Sequence, residues 1–385
     1  MTGGQRFSER HKIMRTEPFG IDVQACRGRQ QRLISVMRDE RIERTIVTQP
    51  EHIQWLTGAR FGPLFQPVAS LDADGRMTLV APTKKLPESV AVDELLAYEA
   101  QWHSTLRNDQ RRASSEALLR AFDGSTCTGG RMGVEFSSYG PHLAGKVDAQ
   151  LVDLEPALYY LRRKKDPDEL RMMRKAIMAT KAMYAKAREV IAPGINELDL
   201  YSTLYAVAVD ELGEPPTYFG QDFQCHSHGG PPRDRSANEG ELYILDLGAG
   251  FRGYFSDNAR TICVSRRPTD EQTGAWKQIQ QVFAVIESTV KPGTSCRAVF
   301  DSAQRILDKC APWEFNHHLG HGVGLFPHEA PHLNPHWDDR FEVGDFFTVE
   351  PGLYHETLRA GMRLEQNYLV TRNGVELLTD MPLEL

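Results

Sequence analysis

The sequence predicts an α+β chain in which a smaller α/β region precedes a larger region with a pseudo-two-fold internal repeat. Three observations carry that expectation. The chain has 385 residues, more than one average domain holds, so two domains is the natural division. Near residue 165 its character changes, and from there helix, Pro-Gly, helix and then strands occurs twice, offset by about one hundred residues. Each copy closes on two strand-like runs around a glycine-containing loop, and each run carries a carboxylate.

Taken in order, residues 1–25 are polar and unpatterned and read as an N-terminal arm, with a first domain over 26–160. Its first helix has Leu33, Ile34, Met37 and Ile42 as the buried side. Thr45 to Thr48 reads as a strand, and Pro50 opens a short helix through Ile53, Trp55 and Leu56 that Gly58 stops. Val68 to Leu71 and Met77 to Val80 flank Asp74-Gly75, a strong hairpin turn, and Gly133 to Phe136 reads as a further strand. This half shows no clustered His, Asp or Glu legible as chemistry, so its role is to shape access or assembly.

The second domain, 165–385, opens at Asp166-Pro167-Asp168-Glu169. A capping residue, a proline at the first helical position and acids against the helix dipole make a good helix start. Leu170, Met173, Ile177, Tyr184, Ala187 and Ile191 form its buried stripe. Pro193-Gly194 ends that helix, and Asn196 starts another through Leu198, Leu204, Ala208 and Leu212. In the second copy, Thr269 and Gln272 suggest a capping box for a helix bearing Trp276, Ile279, Phe283, Ile286 and Val290. Pro292-Gly293 ends it, and a last helix runs through Val299, Ile306 and Leu307.

Composition narrows the function. A net charge of −7 argues against a nucleic-acid partner, whose phosphates want a basic face. The six cysteines are scattered with no C-x-x-C pair, which reads as free thiols in a reducing compartment. A polar N-terminus and the lack of any run of 18 apolar residues argue against a membrane partner, so a cytoplasmic protein is expected.

The chemistry lies in the paired strands. Leu242 to Leu245 leads into Asp246, and Asp257 precedes the apolar run from Thr261 to Val264, with Gly248, Gly250 and Gly253 between. A turn centred on Phe251-Arg252 sets Asp246 opposite Asp257, with Cβ atoms about 4.5–5.5 Å apart. Carboxylates that close share either a proton or a metal. In the second copy, a turn centred on Thr357-Leu358 sets Glu350 opposite Glu365. Four carboxylates at the seam of two copies need compensating positive charge.

Between the pairs lies a glycine-rich segment with His317, His318 and His321, followed by His328. His321 reads as a metal ligand, whereas His318 and His332 read as ordinary satisfied histidines. Four carboxylates and a neutral imidazole are balanced by two divalent cations, with a bridging hydroxide leaving the cluster with about one net negative charge. That suits a dinuclear hydrolytic centre with ions about 3.5–4 Å apart. Oxygen-rich ligation with one imidazole favours Mn²⁺, then Co²⁺, Zn²⁺ or Fe²⁺.

Several motifs together resemble the M24 metallopeptidase family. They are Asp-x-Gly from Asp246, Gly-Tyr-x-Ser-Asp ending at Asp257, His-x-x-Gly-His-Gly-x-Gly-Leu from His317, His-Glu-x-Pro from His328, Glu-Pro-Gly from Glu350 and Arg-x-Glu ending at Glu365. That family has the pita-bread fold of methionine aminopeptidases, Xaa-Pro aminopeptidases, prolidases and creatinases. The resemblance covers residues 165–385, and the first 160 residues look like the creatinase/prolidase-type N-terminal domain. It implies that Asp246 binds one metal, that Asp257 and Glu365 bridge both, and that His321 and Glu350 hold the other. It further implies Glu350 as general base, His328 on the scissile carbonyl or oxyanion, and His317 near the substrate. The family's substrate-contacting histidine before the first aspartate falls here on Gly229, so the adjacent His228 is taken for that role, with His226 nearby. After the last glutamate the family often has Asp, where this chain has Gln366.

The resemblance implies cleavage before proline in a peptide, with relatives bearing this N-terminal domain commonly homodimers. The presence of that domain disfavours a short methionine aminopeptidase. A small-amide C–N hydrolase of the ectoine hydrolase or creatinase kind is the alternative; creatinases proper lose the metal ligands, which are intact here. A non-catalytic peptide-binding module would show broken ligands, and none is broken.

Overall fold

The computed structural model describes residues 19–20, 22–122, 129–138 and 146–385. Most of the arm expected over residues 1–25, and Cys127, lie outside the described residues, and from Val23 the chain is already helical.

The first domain is a six-stranded mixed sheet with helices on both faces. It comprises α1 (Val23–Asp39), β1 (Arg44–Val47), α2 (Pro50–Thr57), β2 (Val68–Asp72), β3 (Met77–Pro82), β4 (Glu94–Tyr98), α3 (Gln110–Ala121), β5 (Gly130–Val134), β6 (Ala149–Asp153) and α4 (Glu155–Arg163). The strand order is β4-β3-β2-β1-β5-β6. β2 and β3 form the antiparallel hairpin around Asp74-Gly75, while β1–β5, β3–β4 and β5–β6 are parallel. Apolar side chains alternate across the sheet, so Val68 and Val80 face Leu118 of α3 while Ala69 and Leu79 face Leu33 and Trp55. The second of these cores runs on into Met173, Val323 and Phe346 of the following domain. The two domains therefore share one hydrophobic core.

Folding brings together one buried pair in this half that the sequence does not show as a cluster. His52 Nδ1 lies 2.6 Å from Glu135 Oε1, both side chains are buried, and the Thr48 backbone N–H and hydroxyl also donate to that carboxylate. The partners lie far apart in sequence, on α2 and just beyond β5, so no local pattern announces them.

The second domain repeats one unit. α5 (Pro167–Val190) and α6 (Glu197–Leu212) precede β7 (Leu242–Asp246), β8 (Ala249–Phe251), β9 (Tyr254–Phe255) and β10 (Ala259–Cys263). α7 (Asp270–Thr289) and α8 (Cys296–Leu307) precede β11 (Gly320–Gly322), β12 (Glu329–Leu333), β13 (Phe346–Val349), β14 (Gly352–Leu353), β15 (Met362–Arg363), β16 (Gln366–Val370) and β17 (Val375–Leu377). The helix starts are set locally. Asn196 and Ser295 side chains accept from the Leu198 and Ala298 N–H groups, and Thr269 and Gln272 exchange a reciprocal capping pair. Each helix pair covers its own strands: Met183, Leu200 and Leu204 pack on Tyr243, Leu245 and Ile262, and Ile279, Phe283 and Val299 pack on Phe347, Val349 and Tyr368. This is the pita-bread arrangement. Leu198 departs from the expected stripe, since it sits in the first turn of α6 facing solvent.

Candidate metal centre

The first hairpin turns one residue later than the sequence suggests. Arg252 (φ 52°) and Gly253 (φ 88°) both take left-handed backbone, the two-residue turn that matches strand twist, and glycine accepts the second position without strain. Phe251 therefore pairs with Tyr254, and Asp246 pairs with Ala259 rather than with Asp257. The two aspartates still converge, because Asp257 lies two residues before Ala259 and is thus the diagonal neighbour of Asp246 on the same face, where their side chains interact. In the second hairpin, Val349 pairs with Gln366 and Gly352 with Arg363, a register that carries Glu350 against Glu365 as expected.

The two hairpins are then joined edge to edge. Glu365 N–H donates to the Ala259 carbonyl at 2.9 Å, and the Thr261 hydroxyl exchanges bonds with the backbone of Arg363. Behind them, β11 carries His321 against β13, with Glu350 N–H donating to the Leu319 carbonyl at 2.8 Å. Gly320 permits that approach: a Cβ there would sit 2.1 Å from the Thr348 carbonyl oxygen.

Asp246, His321 and Glu350 are buried and Asp257 is half-buried around a cavity of about 250 Å³, and Glu365 is buried. Donor atoms of Asp257, His321 and Glu365 fall within 4.8 Å of one another. Burial, and then the neighbouring carboxylates, push Asp257 and Glu365 well above the usual carboxylate range. Asp246 is raised to about 6 by burial, against the pull of Arg363. Glu350 goes the other way, because contacts with His318 and His321 overcome its burial.

Whether these residues suit metal ions can be tested on their unmet bonds. Both oxygens of Glu365 and Oδ1 of Asp246 are buried without a hydrogen-bond partner. His321 Nδ1 donates to the Gly322 carbonyl at 3.0 Å, so in the neutral ring Nε2 presents a lone pair. That nitrogen faces Glu350 Oε1 at 3.4 Å and Asp257 Oδ2 at 3.7 Å. Acceptors aimed at acceptors are reconciled by cations between them, and the donor set fits.

The remaining expected residues lie on the cavity wall. His317 Nδ1 bonds the His318 carbonyl at 2.7 Å and its Nε2 lies 2.9 Å from the Tyr354 hydroxyl. Burial lowers His317 to about 4, so the ring is neutral near pH 7: Nδ1–H donates and Nε2 accepts from Tyr354. His328 stacks on His321 with ring centroids 3.8 Å apart, its outer edge open to solvent. The buried face and the neighbouring His321 and His318 rings lower it to about 4 as well. His228 lines the same cavity, 5.0 Å from the Tyr354 ring, whereas His226 is exposed and does not line it. His332 bonds Asp339 at 2.8 Å away from the centre, as a satisfied histidine.

The cavity is also lined by residues that the sequence did not place there, among them His318, Arg363 and Asp222. His318, read as an ordinary histidine, has Nε2 2.7 Å from Glu350 Oε1. Arg363 donates to Asp246 at 3.0 Å, to Asp222 and to the Tyr354 hydroxyl at 3.3 Å. Asp222 also accepts from the Gly230 N–H at 2.7 Å. A strand period points to Arg363, two residues before Glu365 and so on the same face; nothing local points to Asp222.

Residues 171–372 match the metallopeptidase family M24, and residues 29–164 match the creatinase/prolidase N-terminal domain. Among curated proteins, the chain is 30% identical over 226 residues to an Xaa-Pro dipeptidase of Pyrococcus horikoshii, covering 57% of this chain and 64% of that protein. It is 28% identical over 255 residues to an uncharacterized peptidase, YqhT, of Bacillus subtilis, covering 65% of this chain and 71% of that one. The match thus spans a little under two thirds of the Pyrococcus relative. Among solved structures, an Xaa-Pro dipeptidase from Bacillus anthracis aligns with a TM-score of 0.80 at 21% identity, covering 94% of this chain and 99% of that one. A prolidase from Pyrococcus furiosus aligns at 0.76 and 22%, covering 91% and 99%. At such identities the structural likeness speaks for the fold alone. Among the described residues no helix is long and apolar enough to cross a membrane.

Proposed function

Because the chain belongs to metallopeptidase family M24, we propose that it is a dinuclear-metal hydrolase that cleaves the peptide bond before proline in short peptides. The observation that carries this reading is the convergence of five donors, three of their oxygens unpartnered: four line one small cavity, and Glu365 lies beside Asp257 and His321. Asp246, Asp257, His321, Glu350 and Glu365 would hold two divalent ions, with Mn²⁺ suited to the oxygen donors. When bound, such ions supply a Lewis acid for the carbonyl and a water acidic enough to lose its proton near pH 7.

The chain's own residues do the rest. Glu350 takes the nucleophile's proton on its carboxylate and passes it to the departing nitrogen. His328, neutral and open to the cavity, donates a hydrogen bond to the carbonyl oxygen as negative charge develops there. Tyr354 fixes the tautomer of His317, which borders the substrate, and His228 lines the same cavity against the Tyr354 ring. Arg363 is already committed to Asp246 and Asp222, so it serves to orient the first aspartate.

A cavity of about 250 Å³ lies below the roughly 300–1,000 Å³ of drug-sized sites, which suits a dipeptide. The same size also favours a second reading, hydrolysis of a small amide. Burial of the thiols at Cys26, Cys225, Cys263 and Cys296, all free, supports placement in the reducing cytoplasm, and we expect a homodimer there.

The test is a substrate panel on Mn²⁺-reconstituted protein: Xaa-Pro dipeptides and tripeptides, Xaa-Ala controls, Met-peptides and ectoine-like cyclic amides. Xaa-Pro peptides should exceed Xaa-Ala controls in kcat/KM by on the order of 10²-fold. Turnover confined to the small amides would replace this reading with the second one.

A further inference from the structure

The His321 side of the cavity holds more nitrogen than a one-imidazole centre needs. His318 Nε2 lies 2.7 Å from Glu350 Oε1, and His321 Nε2 lies 3.4 Å from the same oxygen. The two imidazole rings have centroids 5.4 Å apart and sit nearly perpendicular, at 79°. Nitrogens of both rings fall within 4.8 Å of one another, as do His318 and Glu350 donor atoms. His318 is half-buried on the segment just before β11 and lines the cavity.

We propose that His318 is a metal ligand, so that one ion of the pair is held by two histidines and a glutamate. This rests on the dinuclear reading above and divides its two positions by chemistry. With Asp257 and Glu365 shared between the two ions, His318 and His321 beside Glu350 would put all the nitrogen of the donor set at this one position. Each added imidazole favours Zn²⁺ over Mn²⁺, which takes oxygen donors and stands at the weak end of the divalent series. The opposite position faces Asp246 and the carboxylates of Asp257 and Glu365 and gains no nitrogen. The centre is therefore asymmetric, taking Zn²⁺ beside His318 and His321 and a harder ion such as Mn²⁺ beside Asp246. The competing role for His318 is a hydrogen bond that merely holds Glu350, with no imidazole reaching the ion.

The two roles part in experiments that do not depend on turnover. The full chain is dialysed against equimolar Zn²⁺ and Mn²⁺, metal content is measured by mass spectrometry, and zinc-edge X-ray absorption counts imidazoles from their outer-shell scattering. Wild type should hold one zinc with two imidazoles. His318→Asn should hold zinc with one imidazole and bind it on the order of 10²-fold more weakly, with Mn²⁺ affinity little changed. His318→Asp, which restores an oxygen donor, should recover metal binding but lose the preference for zinc. A wild-type spectrum with a single imidazole, or an unchanged zinc affinity in His318→Asn, overturns the assignment while leaving the dinuclear reading intact. If neither ion binds in stoichiometric amount, both fall together.

Discussion

At the scale of single residues, His321 and His328 are seven positions apart and stacked, yet their surroundings differ, and the proposed function gives them different duties. His321 is buried, anchored through Nδ1 and aimed by Nε2 at two carboxylates. His321→Ala should lower metal occupancy and activity together, with activity partly recovered at high metal concentration by mass action. His328→Ala should keep both ions and lose kcat by on the order of 10²–10³-fold, the scale of one lost transition-state donor. Metal titration alongside kcat and KM for the two variants separates them; metal loss in the His328 variant alone would reverse the assignment. The five donors were legible because each sits in a motif with its own glycines or strand pattern. Asp222 was not, since its meaning comes from Arg363, a partner 141 residues away that no local periodicity reveals. That His318 is the histidine bonded to Glu350 was not legible, because adjacent histidines in a loop give no sign of which one reaches a given partner.

At the scale of elements, strand pairing was legible and turn register only partly so. Glu350 against Glu365 followed from symmetric run lengths around a long loop. Asp246 against Asp257 did not, because the left-handed pair at Arg252 and Gly253 decides the turn and no apolar pattern records it. A second contact between elements makes a stability prediction. Glu329 on β12 is buried against Arg162 of α4 and Lys165, which follows it at 2.8 Å from the carboxylate. Burial alone would raise its pKa, but those two cations overcome it and hold it at about 2. The folded value lies below the unfolded one, near 4.3, so the stabilisation is fully present above about pH 4.3 and fades as pH falls toward 2. It amounts to on the order of 3 kcal/mol. Glu329→Gln should therefore cost roughly 3–5 kcal/mol at pH 7, since two buried cations lose their partner, and should flatten the acid limb of urea-unfolding stability between about pH 4.3 and 2. A variant with unchanged stability and the same acid limb would show that the contact does not clamp the domains.

At the scale of the whole molecule, the duplicated helix–helix–hairpin units were legible from the two Pro-Gly breaks, because proline and glycine end helices for covalent reasons. The shared core was not: Trp55 and Phe346 each read as local, and only the folded chain shows them in one cluster. That architecture explains why the centre forms where it does. Each unit brings one carboxylate pair, bonds between Thr261 and Arg363 and between Ala259 and Glu365 lock the units edge to edge, and β11 adds His321 from behind. The account stands or falls on what lies between Asp257 and Glu365. Anomalous diffraction from crystals grown with excess Mn²⁺, with elemental analysis of the same protein, measures it directly. The account predicts two ions per chain about 3.5–4 Å apart, one against Asp246, the other against His321 and Glu350, with Asp257 and Glu365 touching both. Crystals and solutions with no metal at that position would contradict it.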